Sequence, residues 1–190
     1  MATMPSAVSG AGTGAGLSLL VAPAGATGET IPFRQAYSDS GALVSGTLYC
    51  ASVPLPSGTV VSNLTFVIGN TAEAGGTHGA YLLLDNTRTV RAVSADQVGA
   101  TTWSPANVPL TLPMAAPFTT TYTGRYYVCV YVTATTPPSF AGANTILAGV
   151  SGLAGILVGT SNTALTTPPT VGTVVNALTA FNGDFYAYAS

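Results

Sequence analysis

Charge is what this chain has least of. Its 190 residues include four Arg, no Lys, six acids and one His, a charged fraction of 5%, where a soluble domain usually carries about 25%. A net charge of −2 with no lysine argues against nucleic acid as a partner, because phosphate binding needs clustered cations. Disorder is disfavoured as well, since low charge with 47% hydrophobic residues is the reverse of the disordered composition. An isolated monomer could not cover its surface with charge. Much of that surface is therefore expected to lie in an assembly or under Thr, Ser, Asn and Gly.

Cysteine is nearly absent too, with Cys50 and Cys129 alone. Each falls in a strand-like run, and no Cys/His spacing suited to zinc occurs. Two buried thiols are the simpler expectation, with a bridge between two sheets as the alternative that sequence leaves open. Long apolar runs are missing. The run from Ile146 to Val158 is broken by Gly149, Ser151, Gly152 and Gly155 and falls short of the roughly 20 residues a bilayer needs. No membrane partner is expected. The first residues lack a basic region, and Leu17 to Ala22 is too short for an export signal. No convincing amphipathic helix appears anywhere.

What is present is strand. Tyr122 to Pro138 contains an almost unbroken β-branched and aromatic run, with Gly124 before it and Pro137-Pro138 after it. Alternation places Tyr127, Cys129 and Tyr131 on one face and Tyr126, Val128, Val130 and Val132 on the other. One face should pack on a second sheet, and the other beneath a loop or a neighbouring chain. Further strands are expected at Ala42 to Val53, Val60 to Gly69, Ala80 to Asp85, Thr89 to Ser94, Phe118 to Tyr122 and Asp184 to Ser190. Val108 to Leu112, flanked by prolines, reads as an edge piece. Ser38 to Gly41 reads as a turn, and Thr71 to Gly79 and Ala95 to Pro105 as loops. The expected fold is all-β, an antiparallel β-sandwich of jelly-roll-like winding over residues 33–190. Residues 1–32, rich in Gly and Ala, form an extended N-terminal arm.

Several segments together resemble virion proteins of tailed phages of actinobacteria. They are Leu64-Thr-Phe-Val-Ile-Gly69, Gly75-Gly-Thr-His-Gly79, Tyr81-Leu-Leu-Leu-Asp85, Ala95-Asp-Gln97, Thr102-Trp-Ser104, the Tyr122 to Val132 strand and Ala134-Thr-Thr-Pro-Pro-Ser-Phe-Ala-Gly142. The resemblance spans roughly residues 42–142 and implies a β-sandwich capsid-decoration, minor tail or fibre component. On that reading the chain is a non-enzymatic structural protein, expected to form a homotrimer and to dock on a major capsid or tail protein. Leu17, Leu19, Leu20, Val21, Ile146, Leu147, Ile156 and Leu157 are the expected interface residues. The virion would be assembled in the host cytoplasm, with the capsid surface favoured over the tail.

Chemistry has few candidates. His78 sits among glycines with no nucleophile elbow, so neither catalysis nor a cofactor is expected. Glu73, Asp85 and Asp96 lack the dense acidic loop of a calcium site. Trp103 with Asp96, Gln97 and His78 could stack and hydrogen bond a host glycan, against the plainer reading of a Trp pinning a long loop. Arg88 and Arg91 are expected on opposite faces of one strand, with at least one pairing an acid such as Asp85 or Asp96.

Overall fold

The structure, a computed structural model, describes residues 23–30, 38–98, 103, 107–143, 158–161, 164–181 and 184–190. Apart from a 3₁₀ turn at Trp103, every regular element among them is a strand. In chain order these are β1 (Gly28–Glu29), β2 (Ser38–Ala42), β3 (Thr47–Leu55), β4 (Val60–Val67), β5 (Ala74–Leu84), β6 (Val90–Val93) and β7 (Pro109–Thr119). They continue with β8 (Gly124–Thr136), β9 (Ser139–Ala143), β10 (Val158–Ser161), β11 (Thr179–Ala180), β12 (Asp184–Phe185) and β13 (Ala187–Ala189).

β8 is the long strand expected from its β-branched and aromatic run, and it lies near the centre of a six-stranded sheet ordered β11-β10-β3-β8-β5-β6. The opposing layer comprises a four-stranded sheet, β1-β13-β4-β7, and a three-stranded one, β12-β9-β2. An Ile68–Phe140 bridge joins these two, and a Ser94–Met114 bridge ties β6 to β7 along one side. All pairings are antiparallel. The architecture is a β-sandwich. Its strand orders leave the jelly-roll winding an expectation.

The two faces of β8 divide as alternation requires. Tyr126, Val128, Val130 and Val132 meet Leu64, Phe66, Ile68, Phe140 and Phe185 from the opposing layer in the main core. Tyr127, Cys129 and Tyr131 point the other way, into a second cluster with Leu48, Cys50, Leu82, Leu84 and Val90. Leu165, Val175 and Leu178 of the chain itself cover that cluster. A loop, rather than a neighbouring subunit, supplies this lid.

Cys50 and Cys129 are bonded to one another, with Cα atoms 4.0 Å apart. The free-thiol expectation is thereby corrected. So is the alternative, because the bond joins adjacent strands of one sheet, β3 and β8, in direct register. The sequence shows two distant cysteines but not the register that makes them neighbours.

Several boundaries also differ. The single strand expected at Asp184 to Ser190 divides at Tyr186 into β12 and β13, which join different sheets. Ser38 to Gly41, expected as a turn, lies in β2, which pairs with β9 through a bulge. β5 begins at Ala74 rather than Ala80, because the ladder to β8 carries the weak strand formers of Gly75-Gly-Thr-His-Gly79 along with it. The expected pieces Val108 to Leu112 and Phe118 to Tyr122 are largely one strand, β7. Its three prolines, Pro109, Pro113 and Pro117, are tolerated because β7 is the edge of its sheet.

The last part of the expected arm belongs to the sheet. β1 pairs with β13, and the amides of Thr27 and Thr30 donate to the carbonyls of Ala189 (2.7 Å) and Ala187 (3.0 Å). The Thr30 hydroxyl accepts from the Ala187 amide at 3.0 Å. Removal of residues 1–30 strips several hydrogen bonds worth about 1 kcal/mol each and should therefore lower the melting temperature by roughly 10 °C. Differential scanning calorimetry of the truncated and full-length chains checks this. An unchanged melting temperature would mean that β1 contributes nothing to the sandwich.

Candidate functional site

The polar candidates gather where the start of β5 runs beside the turn after β6. His78 Nδ1 donates to Asp96 Oδ2 at 2.6 Å, with both side chains about one-third exposed. The other oxygen, Asp96 Oδ1, accepts from the Gly79 amide at 2.9 Å. The Gln97 amide donates to the Gly79 carbonyl at 2.8 Å, which holds the turn against β5. Next to it the Thr77 and Thr133 hydroxyls lie 2.9 Å apart. Sequence analysis grouped Asp96, Gln97 and His78 but missed Thr77, which adjoins His78 in the chain, and Thr133, which only the β5–β8 register sets opposite His78.

Trp103 does not join this surface. It is 1% exposed, and its ring meets Tyr81 edge-on with centroids 5.1 Å apart and Phe140 at 6.2 Å. Glycan stacking on Trp103 is corrected by that burial, since no ring face is open to a sugar. The side chain instead pins its loop to the sandwich, and its Nε1 finds no acceptor among the described residues. Gly79 makes room for it: a Cβ there would stand 2.7 Å from Trp103 Nε1.

Comparison with protein-family models, with curated proteins and with solved structures finds no match. The site must therefore be read from its own chemistry.

His78 and Asp96 resemble the base and orienting acid of a hydrolytic triad. Among the described residues, however, the ring bonds Asp96 and no hydroxyl or thiol. Nor do three His, Cys, Asp or Glu side chains converge to hold a metal among the described residues. Glu73 is buried at the foot of β5, apart from the other two acids. What remains is a shallow patch of His78, Asp96, Gln97, Thr77 and Thr133. It offers hydrogen bonds but no aromatic platform. The eight expected interface residues, Leu17, Leu19, Leu20, Val21, Ile146, Leu147, Ile156 and Leu157, lie outside the described residues.

Asp85 has a structural role. It is 4% exposed, and its Oδ1 accepts from the Thr87 amide (2.8 Å), the Thr87 hydroxyl (2.6 Å) and the Thr89 amide (3.0 Å). Its Oδ2 accepts from Arg91 Nε at 2.8 Å. Arg91 is thus the arginine that pairs with an acid. Arg88 sits in the turn rather than on a strand, at φ 64°, and its Nε donates to the Val175 carbonyl at 3.4 Å. Burial alone would raise the Asp85 pKa, but the Thr87, Thr89 and Arg91 hydrogen bonds outweigh it and hold the carboxyl below its ordinary value.

A depressed carboxyl stabilises the fold above its unfolded pKa, about 3.9, and that contribution is lost as pH falls through the lower folded value. Asp85→Ala should cost about 2–3 kcal/mol at neutral pH by leaving amides and a guanidinium without their acceptor. Urea unfolding across pH should show the gap to wild type narrowing only below about pH 4. A constant gap across the acid range would refute the charged role. Gly79→Ala should displace Trp103, destabilise by about 1–3 kcal/mol and shift tryptophan emission to the red. Unchanged emission would contradict the packing described.

Proposed function

We propose that the chain is a non-enzymatic structural protein of a phage virion, a capsid decoration protein. It self-associates as a homotrimer and docks on the major capsid protein through residues 1–22 and its uncharged surfaces. A jelly-roll-like winding and assembly in the host cytoplasm belong to the same reading. The observation that carries it is the shortage of charge, which recurs on the outward face of the four-stranded sheet. Register aligns Glu29, Tyr188, Thr65 and Thr111 in one row across that face. Asn63 lies opposite Pro113, and Val67 opposite Pro109, on the same side.

Glu29 is the one ionisable carboxylate in these rows, and it accepts from the Tyr186 hydroxyl at 2.7 Å. Burial of such a face involves a single carboxylate, that of Glu29, and apolar area removed from water contributes about 25 cal/mol per Å². Edge-to-edge pairing is discouraged at β7, where Pro109, Pro113 and Pro117 lack an amide proton. At that side of the sheet, contact through the face is favoured over contact through the edge. Repetition around a symmetric particle turns modest contacts into durable ones. The alternative, a minor tail or fibre component attaching to a host glycan, is weakened by the burial of Trp103.

Immunogold labelling of particles with antibody against residues 33–190 tests the assignment. Gold over the head is expected. Gold along the tail would replace decoration with the tail reading, and no label on intact or disrupted particles would end the virion reading. In solution, Thr111→Arg should shift the oligomer measured by light scattering towards monomer, by adding a charge to an exposed position of the face. An unchanged mass would remove this face from the interface.

A further inference from the structure

The Cys50–Cys129 bond is sealed from solvent. Both residues are 0% exposed, and they occupy the central row of the six-stranded sheet, flanked by Gly159 on one side and Leu82 on the other. Leu165, Val175 and Leu178 close over this row. Any reductant or oxidant must pass beneath residues 164–178 to reach sulfur.

That segment is fastened at its ends. At one end the Leu165 amide donates to the Gly46 carbonyl at 2.8 Å, and the Tyr131 hydroxyl donates to the Leu165 carbonyl at 2.9 Å. Gly46 has φ 75°, and a Cβ there would stand 2.8 Å from the Leu165 carbonyl oxygen. At the other end the Val90 amide donates to Thr173, the Gly172 amide to Val90 and the Val175 amide to Arg88, at 2.9–3.0 Å. Both fastenings involve strain. Ala164, next to the first, has φ 61°, and Arg88, at the second, has φ 64°. Non-glycine residues adopt that left-handed region only at a cost.

We propose that residues 164–178 form an openable cover whose opening sets the rate of redox exchange at Cys50–Cys129. Exchange at sulfur requires access as well as a competent attacking group. Closing the bond takes two protons and two electrons from the thiols and passes them to a disulfide oxidant such as oxidised glutathione, which leaves as two thiols. Opening by a phosphine proceeds by attack of phosphorus on one sulfur and departure of the other as thiolate. Water then hydrolyses the phosphonium to phosphine oxide and frees the second thiol. With the cover shut neither reaction proceeds, so the folded chain retains the redox state in which the cover last closed. This inference does not depend on the virion reading.

The test is the rate of reduction of the intact chain by excess water-soluble phosphine, quenched with N-ethylmaleimide and counted as two adducts by mass spectrometry. Wild type should be reduced at least about 100-fold more slowly in native buffer than in urea. Val175→Ala, which thins the cover, should react about tenfold faster than wild type. Ala164→Gly, which relieves the left-handed strain, should react about fivefold more slowly. Leu112→Ala removes apolar volume from the opposite core and should stay within about twofold of wild type.

Equal rates in native buffer and urea would overturn the proposal. So would identical rates for wild type, Val175→Ala and Ala164→Gly. Acceleration by Leu112→Ala matching that by Val175→Ala would also overturn it, by assigning exchange to global unfolding. Should Val175→Ala not fold, Val175→Thr makes the same comparison.

Discussion

The pairing of β3 with β8 is the constraint on which the rest of the molecule depends. All nine residues of β3 are in register with β8, from Thr47 opposite Val132 to Leu55 opposite Gly124. That one register decides which side chains face the main core, which face the cover, and that Cys50 meets Cys129. A slip of one residue would exchange the two faces of β3 and part the cysteines. The bond also limits the unfolded chain by closing a loop of 79 residues, an effect of order 4 kcal/mol in the chain-entropy account. The sandwich is built outwards from a locked central pair.

Much of this was legible because strand alternation is a local property. The division of β8 into Tyr127, Cys129 and Tyr131 against Tyr126, Val128, Val130 and Val132 follows from period two alone, and the two clusters keep to it. What was not legible depends on partners distant in sequence. Whether Cys50 and Cys129 bond, whether Thr133 lies beside His78, and whether the outer face of β8 meets a loop or a second chain are all questions of register and topology. Trp103 shows the limit most clearly. A lone Trp in a polar loop can be a sugar platform or, more plainly, a core anchor, and the two separate only when Tyr81, Phe140 and Gly79 are brought against it.

The scarcity of charge acquires a different meaning once the folding of each surface is known. The sequence left open whether a loop or a neighbouring chain covers the face of β8 turned away from the second sheet. The chain covers one outer sheet face itself, with Leu165, Val175 and Leu178, so that part of the apolar surplus calls for no assembly. On the outward side of β4, β7 and β13, Thr, Pro, Tyr, Asn and Val make up the rows, with little charge among them. Of the acids, Asp85 is consumed in holding a turn and Asp96 in orienting His78 and Gly79. Little charge remains to keep neighbouring copies apart.

The order of the strands makes the C-terminal residues responsible for finishing both layers. Residues 164–178 cover the six-stranded sheet, and β12 and β13 then join the opposing layer, β13 pairing with β4 on one side and β1 on the other. Until that happens Leu64 and Phe66 have an unpaired strand edge beside them, and the Cys50–Cys129 row is open to solvent. Contacts of such sequence separation are slow to form, because the loop must close before its contacts contribute. Burial of the central sulfurs and completion of the opposing sheet are therefore coupled to the arrival of one C-terminal stretch. A chain lacking it would retain the paired β3 and β8 but neither a sealed core nor a closed cover.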